Sequence, residues 1–187
     1  TLTTERALRL THDLTRASRL EFAPTLFALE PVNPEQICRD ITSELTPLFT
    51  AHKKRLKAPR RRSPLLLVAN RDLLRRVLMN FADNALHYSA DGSDIEVSVR
   101  AIDNGQAVRI GVRDYGPAVS SDVWRTLRQR LAVAPQAMQA RPQSSGLGLY
   151  LAGQFAEYMN GHIGVTRHRD GATFYIELRA SRQLTLL

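Results

Sequence analysis

Apolar residues recur along residues 73–89, LLRRVLMNFADNALHYS, with the period of a helix. Leu74, Val77, Leu78, Phe81, Ala82, Ala85 and Leu86 fall three and four apart, which stacks them into one stripe. Asn70 stands just ahead as an N-cap. Residues 1–22 also read as helical, with Leu2, Leu8, Leu10, Leu14 and Leu20 among charged positions. Such a helix is too short to be a domain and is expected to pack against a partner helix. Residues 23–34 hold three prolines and read as a linker. Residues 34–53 predict a second helix, striped by Ile37, Ile41, Leu45, Leu48 and Phe49, which Pro47 should kink or divide. Leu56 and residues 65–69 read as short strands flanking a basic segment at 57–62.

Downstream the period changes to two. Ile95, Val97 and Val99 alternate with polar residues, as do Val108, Ile110 and Val112, and Asp103-Asn104-Gly105 between them is a hairpin signal. The second strand ends at Arg113-Asp114-Tyr115-Gly116-Pro117. Residues 119–145 predict a helical piece around 124–131 and then a Pro-, Gln- and Ala-rich mobile segment. Ser145-Gly146-Leu147-Gly148-Leu149 opens a helix to about Asn160, with Gly161 as its cap. Ile163 and Val165 begin a strand, Asp170-Gly171 turns it, and Phe174, Ile176 and Leu178 alternate with Thr173, Tyr175 and Glu177. The pattern predicts an α/β fold: a two-layer sandwich with helices on one face of a mixed, mainly antiparallel sheet, preceded by a helical remnant.

The 187 residues suffice for one well-buried domain plus an appendage, and 43% hydrophobic content is ordinary for a globular chain. A formal net charge of +8 and a pI near 10.4 favour anionic partners. Much of that charge sits at 53–57 and 60–62, where no aromatic residue is interleaved, so a base-stacking platform is not indicated and the run reads as a solvated face. Cys38 is the one cysteine, which excludes an intramolecular disulfide and a cysteine zinc cluster. No apolar run reaches membrane-spanning length. The chain starts without Met and reads as a fragment of something longer.

Asn80 and Asn84 do not fit a plain core helix. Four residues apart, they project from one face, and mid-helix amides beside apolar residues need polar partners. An amide oxygen suits a hard cation such as Mg²⁺, and the NH₂ suits phosphate or water. His87 and Tyr88 follow one turn on, adding a phosphate donor and an aromatic face. Glycine ahead of a helix start leaves free N–H groups for phosphate, as at Gly146 and Gly148. A carboxylate in a strand-end pocket, as at Asp114, can accept a hydrogen bond from an adenine amine.

In order and spacing this set resembles the catalytic, ATP-binding domain of sensor histidine kinases, with its Bergerat-type fold, in the wider family of DNA gyrase, Hsp90 and MutL. The match covers about residues 34–178. Asn80-Phe-Ala-Asp-Asn84-Ala-Leu-His87-Tyr88-Ser89 resembles the N box. The resemblance implies Asn84 on Mg²⁺, Asn80 supporting the metal or its waters, His87 on phosphate and Tyr88 stacked on adenine. Asp114-Tyr115-Gly116-Pro117-Ala118 resembles the first glycine box, with Asp114 reading adenine and Gly116 beside it, and Ala118 where a second glycine is usual. Gly146, Leu147, Gly148 and Leu149 resemble the second, Gly171-Ala172-Thr173-Phe174 resembles the domain's end with Thr173 assisting at adenine, and residues 119–145 would be the ATP lid. In the family's ATPases a Glu one turn before the metal-binding Asn activates water; here that position is Asn80, which cannot take a proton at neutral pH. The implied activity is therefore phosphoryl transfer to a protein side chain.

Residues 1–22 resemble the end of the dimerisation and phosphotransfer hairpin, 23–34 its linker, and 35–187 the catalytic domain. His12-Asp13 resembles an acceptor pair, but the acceptor belongs on the first hairpin helix, so His12 reads as an ordinary surface histidine and the acceptor is expected upstream. The resemblance implies ATP or ADP and Mg²⁺ as ligands, a response-regulator receiver domain as partner and a homodimeric parent. It also implies a cytoplasmic location, no membrane segment in this stretch and no specific nucleic acid. A second reading takes Ala118 and the altered lid as marks of a domain that docks partners without nucleotide.

Overall fold

A computed structural model describes residues 2–22, 27–63, 65–117 and 147–184, together with Ser121 and Arg125. The first helix, α1 (Leu2–Phe22), precedes a short strand β1 (Glu30–Val32), so part of the stretch read as linker lies in the sheet. Val32 points into the core at 1% exposure.

The second helix, α2 (Pro34–Ala51), starts as its sequence dictates. Asn33 Oδ1 accepts from the N–H groups of Glu35 and Gln36, and Pro34 supplies the helical φ of the first turn. Of the kink or division expected at Pro47, the division does not occur: α2 runs through it to Ala51. Pro47 and Ser43, whose carbonyl loses its donor there, are both exposed, so water can take the bond. The buried side, Ile37, Cys38, Ile41, Leu45 and Phe49, is untouched. Cys38 is a free thiol, and burial pushes its pKa up to about 12.

Strands β2 (Arg55–Lys57) and β3 (Leu65–Ala69) lead to α3 (Arg71–Tyr88), whose Asn70 cap accepts from the Leu73 N–H at 3.1 Å. Next come β4 (Asp94–Ile102), a one-turn hairpin at Asp103–Gly105, β5 (Ala107–Arg113), α4 (Leu147–Tyr158), β6 (His162–His168) and β7 (Gly171–Leu184). Among the described residues these strands form one seven-stranded sheet in the order β1-β3-β7-β5-β4-β2, with β6 also paired to β7. All pairings are antiparallel except β2 with β4. Alternation puts Ile95, Val108, Ile110, Phe174 and Ile176 under α2, α3 and α4, all at 2% exposure or less. The opposite face carries Arg109, Tyr175 and Glu177, where Arg109 Nε donates to Glu177 at 2.6 Å and lies 4.1 Å over the Tyr175 ring. The predicted two-layer architecture is the observed one.

The residue after α4 that takes the left-handed conformation is Asn160 (φ 60°), not the expected Gly161. Gly161 is needed for a different reason: a Cβ there would stand 2.2 Å from the Glu177 carbonyl oxygen.

Candidate functional site

Helix α3 carries both mid-helix amides toward the first turn of α4. Asn80 is 6% exposed and its Nδ2 has no hydrogen-bond partner among the described residues. An unmade buried donor costs roughly 1–3 kcal/mol, so the group is set for a ligand oxygen or a water. Gly148 lies opposite; a Cβ on it would be 3.1 Å from Asn80 Oδ1. Asn84, half-buried, shares with them a small cavity of about 20 Å³, closed on one side by Leu149.

The far end of α3 is clamped to the end of β5. Tyr115 N–H donates to Ser89 Oγ at 3.0 Å, and Ala90 N–H donates to the Tyr115 carbonyl at 3.1 Å. The backbones come so close that a Cβ on Gly116 would lie 2.2 Å from the Tyr88 carbonyl oxygen. Asp114 is 1% exposed. Its Oδ1 accepts from Ala172 N–H at 3.2 Å and from Gly116 N–H at 3.4 Å, and its own N–H donates to the Ala172 carbonyl at 2.9 Å. Gly171, at φ +130°, makes room: a Cβ there would be 2.4 Å from the Asp114 carbonyl oxygen and 2.6 Å from Oδ1. Arg113 braces this loop from outside. It donates to the Asp114 carbonyl, pairs with Asp170 at 2.5 Å and lies 4.2 Å over the Tyr115 ring.

The structure therefore brings Asn80, Asn84, Gly148 and Leu149 together at one cavity between α3 and α4, and Tyr88, Asp114 and Gly116 together where the end of α3 meets the end of β5. Thr173 does not join them. It pairs with Arg113 on the sheet face away from the helices, beside Ser98 and Gly111, and its Oγ1 is 2.8 Å from His168 Nε2. Alternation along β7 puts Ala172, not Thr173, beside Asp114. Burial, then the Arg113 charge, holds His168 below the usual histidine range. His87 is exposed and sits edge-on to Tyr88 at 4.8 Å; desolvation, then Arg6 and Lys54, lower its pKa against the pull of Asp83. Gly146, Ala118, the Leu147 side chain and the predicted lid at 119–145, apart from Ser121 and Arg125, lie outside the described residues.

Sequence reasoning missed two contributors. One is Gly171 with the Ala172 N–H, which position Asp114. The other is α1. Its Arg6 lies 2.9 Å and its Arg9 3.5 Å from Asp83, and its buried Asp13 lies 3.2 Å from Arg76. Leu10, Arg6 and Arg9 thereby reach the wall of the Asn80–Asn84 cavity, so α1 seats along α3 and α4 of its own chain. His12 is exposed, and Leu8 and Leu14 are 60% and 45% exposed, leaving α1 an open apolar side. Asp83, an acid between the two site asparagines, was the signal available for the arginines.

Among the described residues no group of three or more His, Cys, Asp and Glu side chains forms a metal cluster. The donors that fit a hard cation are amide oxygens completed by phosphate and water. Among the described residues no helix is long and apolar enough to cross a membrane.

A family model described as "Histidine kinase-, DNA gyrase B-, and HSP90-like ATPase" matches residues 69–182. The sensor protein GacS of Pseudomonas syringae pv. syringae is 28% identical over 178 residues, 92% of this chain and 19% of that protein. The histidine protein kinase SaeS of Staphylococcus aureus is 29% identical over 106 residues, 56% of this chain and 30% of that protein. The chain thus spans about a fifth to a third of the curated relatives it matches. Among solved structures, full-length ShkA in complex with AMPPNP superposes over 98% of this chain and 38% of its own, at TM-score 0.76 and 26% identity. The Acinetobacter baumannii histidine kinase AdeS superposes over 96% of this chain and 81% of its own, at TM-score 0.71 and 17% identity.

Proposed function

The chain belongs to the histidine kinase-, DNA gyrase B- and HSP90-like ATPase family, and from that premise we propose that it is the ATP-binding catalytic domain of a two-component sensor histidine kinase. The observation that carries the reading is the seating of Asp114: a carboxylate at 1% exposure, fixed by two backbone N–H donors in a space only Gly171 leaves open. A carboxylate held there suits an adenine amine, with Tyr88 beside it for the ring. Asn84 would hold Mg²⁺ against the phosphates, and the spare Nδ2 of Asn80 would bind a phosphate oxygen or a metal-bound water. The bound metal supplies charge neutralisation at the phosphates. The N-terminal turn of α4, at Leu147, Gly148 and Leu149 with Gly146 before it, offers backbone donors to the phosphates.

Asn80 also sets the reaction type. It stands where a water-activating base would be needed, and an amide has no proton-accepting function at neutral pH. ATP is therefore held for transfer to a histidine and onward to a response-regulator aspartate. A parent dimer would use the open Leu8–Leu14 side of α1, and the domain would work on the cytoplasmic side. The test is transfer. The chain joined to a sensor-kinase phosphoacceptor hairpin and given γ-labelled ATP should yield acid-labile, base-stable phosphohistidine that Asn84→Ala abolishes. Release of labelled inorganic phosphate without phosphohistidine would overturn the reading.

A further inference from the structure

Strand β2 ends early. Its ladder with β4 covers only Arg55–Lys57 against Asp94–Glu96, and the chain then leaves the sheet through Ala58 and the buried Pro59, which has no N–H to continue a ladder. Beyond Glu96 the outer edge of β4 has no strand beside it among the described residues, while its inner edge is paired to β5 as far as Ile102. The departing segment roofs this edge and leaves a cleft of about 650 Å³ between residues 57–63 and 96–101.

The cleft's chemistry alternates. Ile95, beside β2, is 0% exposed; Val97 and Val99, core residues on the unpaired stretch of the edge, are 9% and 8% exposed. On the other side stand Arg100 from β4 and Arg60, Arg61 and Arg62 from the roof, all exposed. Lys57 is engaged by Asp94 at 2.6 Å, and Arg60 lies 3.8 Å from Glu96. Arg61, Arg62 and Arg100 have no carboxylate within ion-pair distance among the described residues. Charged residues do protect free sheet edges from pairing with one another. Here they instead frame a recess along the unpaired stretch of β4.

We propose that this cleft is a docking site for an extended acidic segment of a partner protein, which adds a strand to β4 alongside Val97, Ser98, Val99, Arg100 and Ala101. The open edge supplies main-chain hydrogen bonds, and the period of two sorts the partner's side chains. Apolar residues would lie against Val97 and Val99, and acidic ones, on alternate positions, against Arg100, Arg61 and Arg62. Five residues of β4 call for about five in the partner, roughly 17 Å of strand. The site lies at the opposite sheet edge from β1 and uses none of the nucleotide-site residues.

The experiment uses a fluorescein-labelled heptapeptide of alternating Val and Glu, titrated with the whole chain and read by anisotropy. Two N-methylated versions, blocked on odd or on even amides, report on main-chain pairing without altering the protein. The proposal expects saturable binding, lost with one N-methyl pattern and kept with the other, and weakened at least about tenfold in the Arg61→Glu/Arg62→Glu variant. Amide exchange at residues 97–101 should slow in the complex. Three results would overturn it: no binding at millimolar peptide, equal binding of both N-methylated forms, or equal binding of a heptaglutamate or single-stranded DNA of matched charge. The last two would mark a general anion surface.

Discussion

Gly171→Ala tests how Asp114 is held. At φ +130° any side chain is strained, at a cost of about 1–3 kcal/mol. The added Cβ would also stand 2.4 Å and 2.6 Å from two Asp114 oxygens, where ordinary contact begins near 3.4 Å, so the carboxylate must retreat by about 1 Å. A charge-assisted hydrogen bond to an adenine amine has a net value of about 1.5–3 kcal/mol. At 1.4 kcal/mol per tenfold, losing it weakens nucleotide binding by about ten- to a hundredfold. Gly92→Ala is the control: φ is +83° but nothing lies within 4 Å of the added Cβ. Both variants should lose about 1–3 kcal/mol in urea unfolding, and only Gly171→Ala should lose affinity for AMPPNP in calorimetry. A folded Gly171→Ala protein that binds AMPPNP within about twofold of the parent would refute the claim that Gly171 seats the carboxylate.

Pro47→Ala should stabilise the chain by about 1–3 kcal/mol, read as a higher Tm, because it restores the N–H that α2 lacks without touching a buried side chain; a lower Tm would mean that the proline sets the path of α2. His168 and His87 are both held below the usual 6.5 in the folded chain, chiefly by desolvation. Below about pH 6.5 the unfolded chain binds those protons more readily, so stability should fall as pH drops toward the folded values. His168→Gln should flatten part of that slope in urea titrations at stepped pH, and a slope unchanged in the His87→Gln/His168→Gln double variant would contradict the assignment.

The parts of this fold that a period can report were legible in the chain. Seven apolar positions at helical spacing located α3, and Asn70 marked its start; strict alternation located β4, β5 and β7. The site asparagines were legible because amides are out of place on a half-buried helix. What stayed hidden depends on contacts distant in sequence. Asp114 and Ala172 are joined by a β5–β7 register that no local pattern encodes, and that register turns Thr173 to the far face. β1 is three residues long, too short for a period and disguised by its proline. Arg6 and Arg9 read as helix surface charge until α1 is laid against Asp83. Pro47 misled in the other direction, because its missing bond falls on the wet side of α2.

Calorimetric titration of the chain with AMPPNP, with and without Mg²⁺, repeated on Asp114→Asn and Asn84→Ala, tests the central claim most directly. Saturable binding is expected, tightened by Mg²⁺, weakened by Asp114→Asn with or without the metal, and no longer responsive to Mg²⁺ in Asn84→Ala. A folded chain that binds no AMPPNP at millimolar concentration, or one whose binding neither substitution alters, would contradict it.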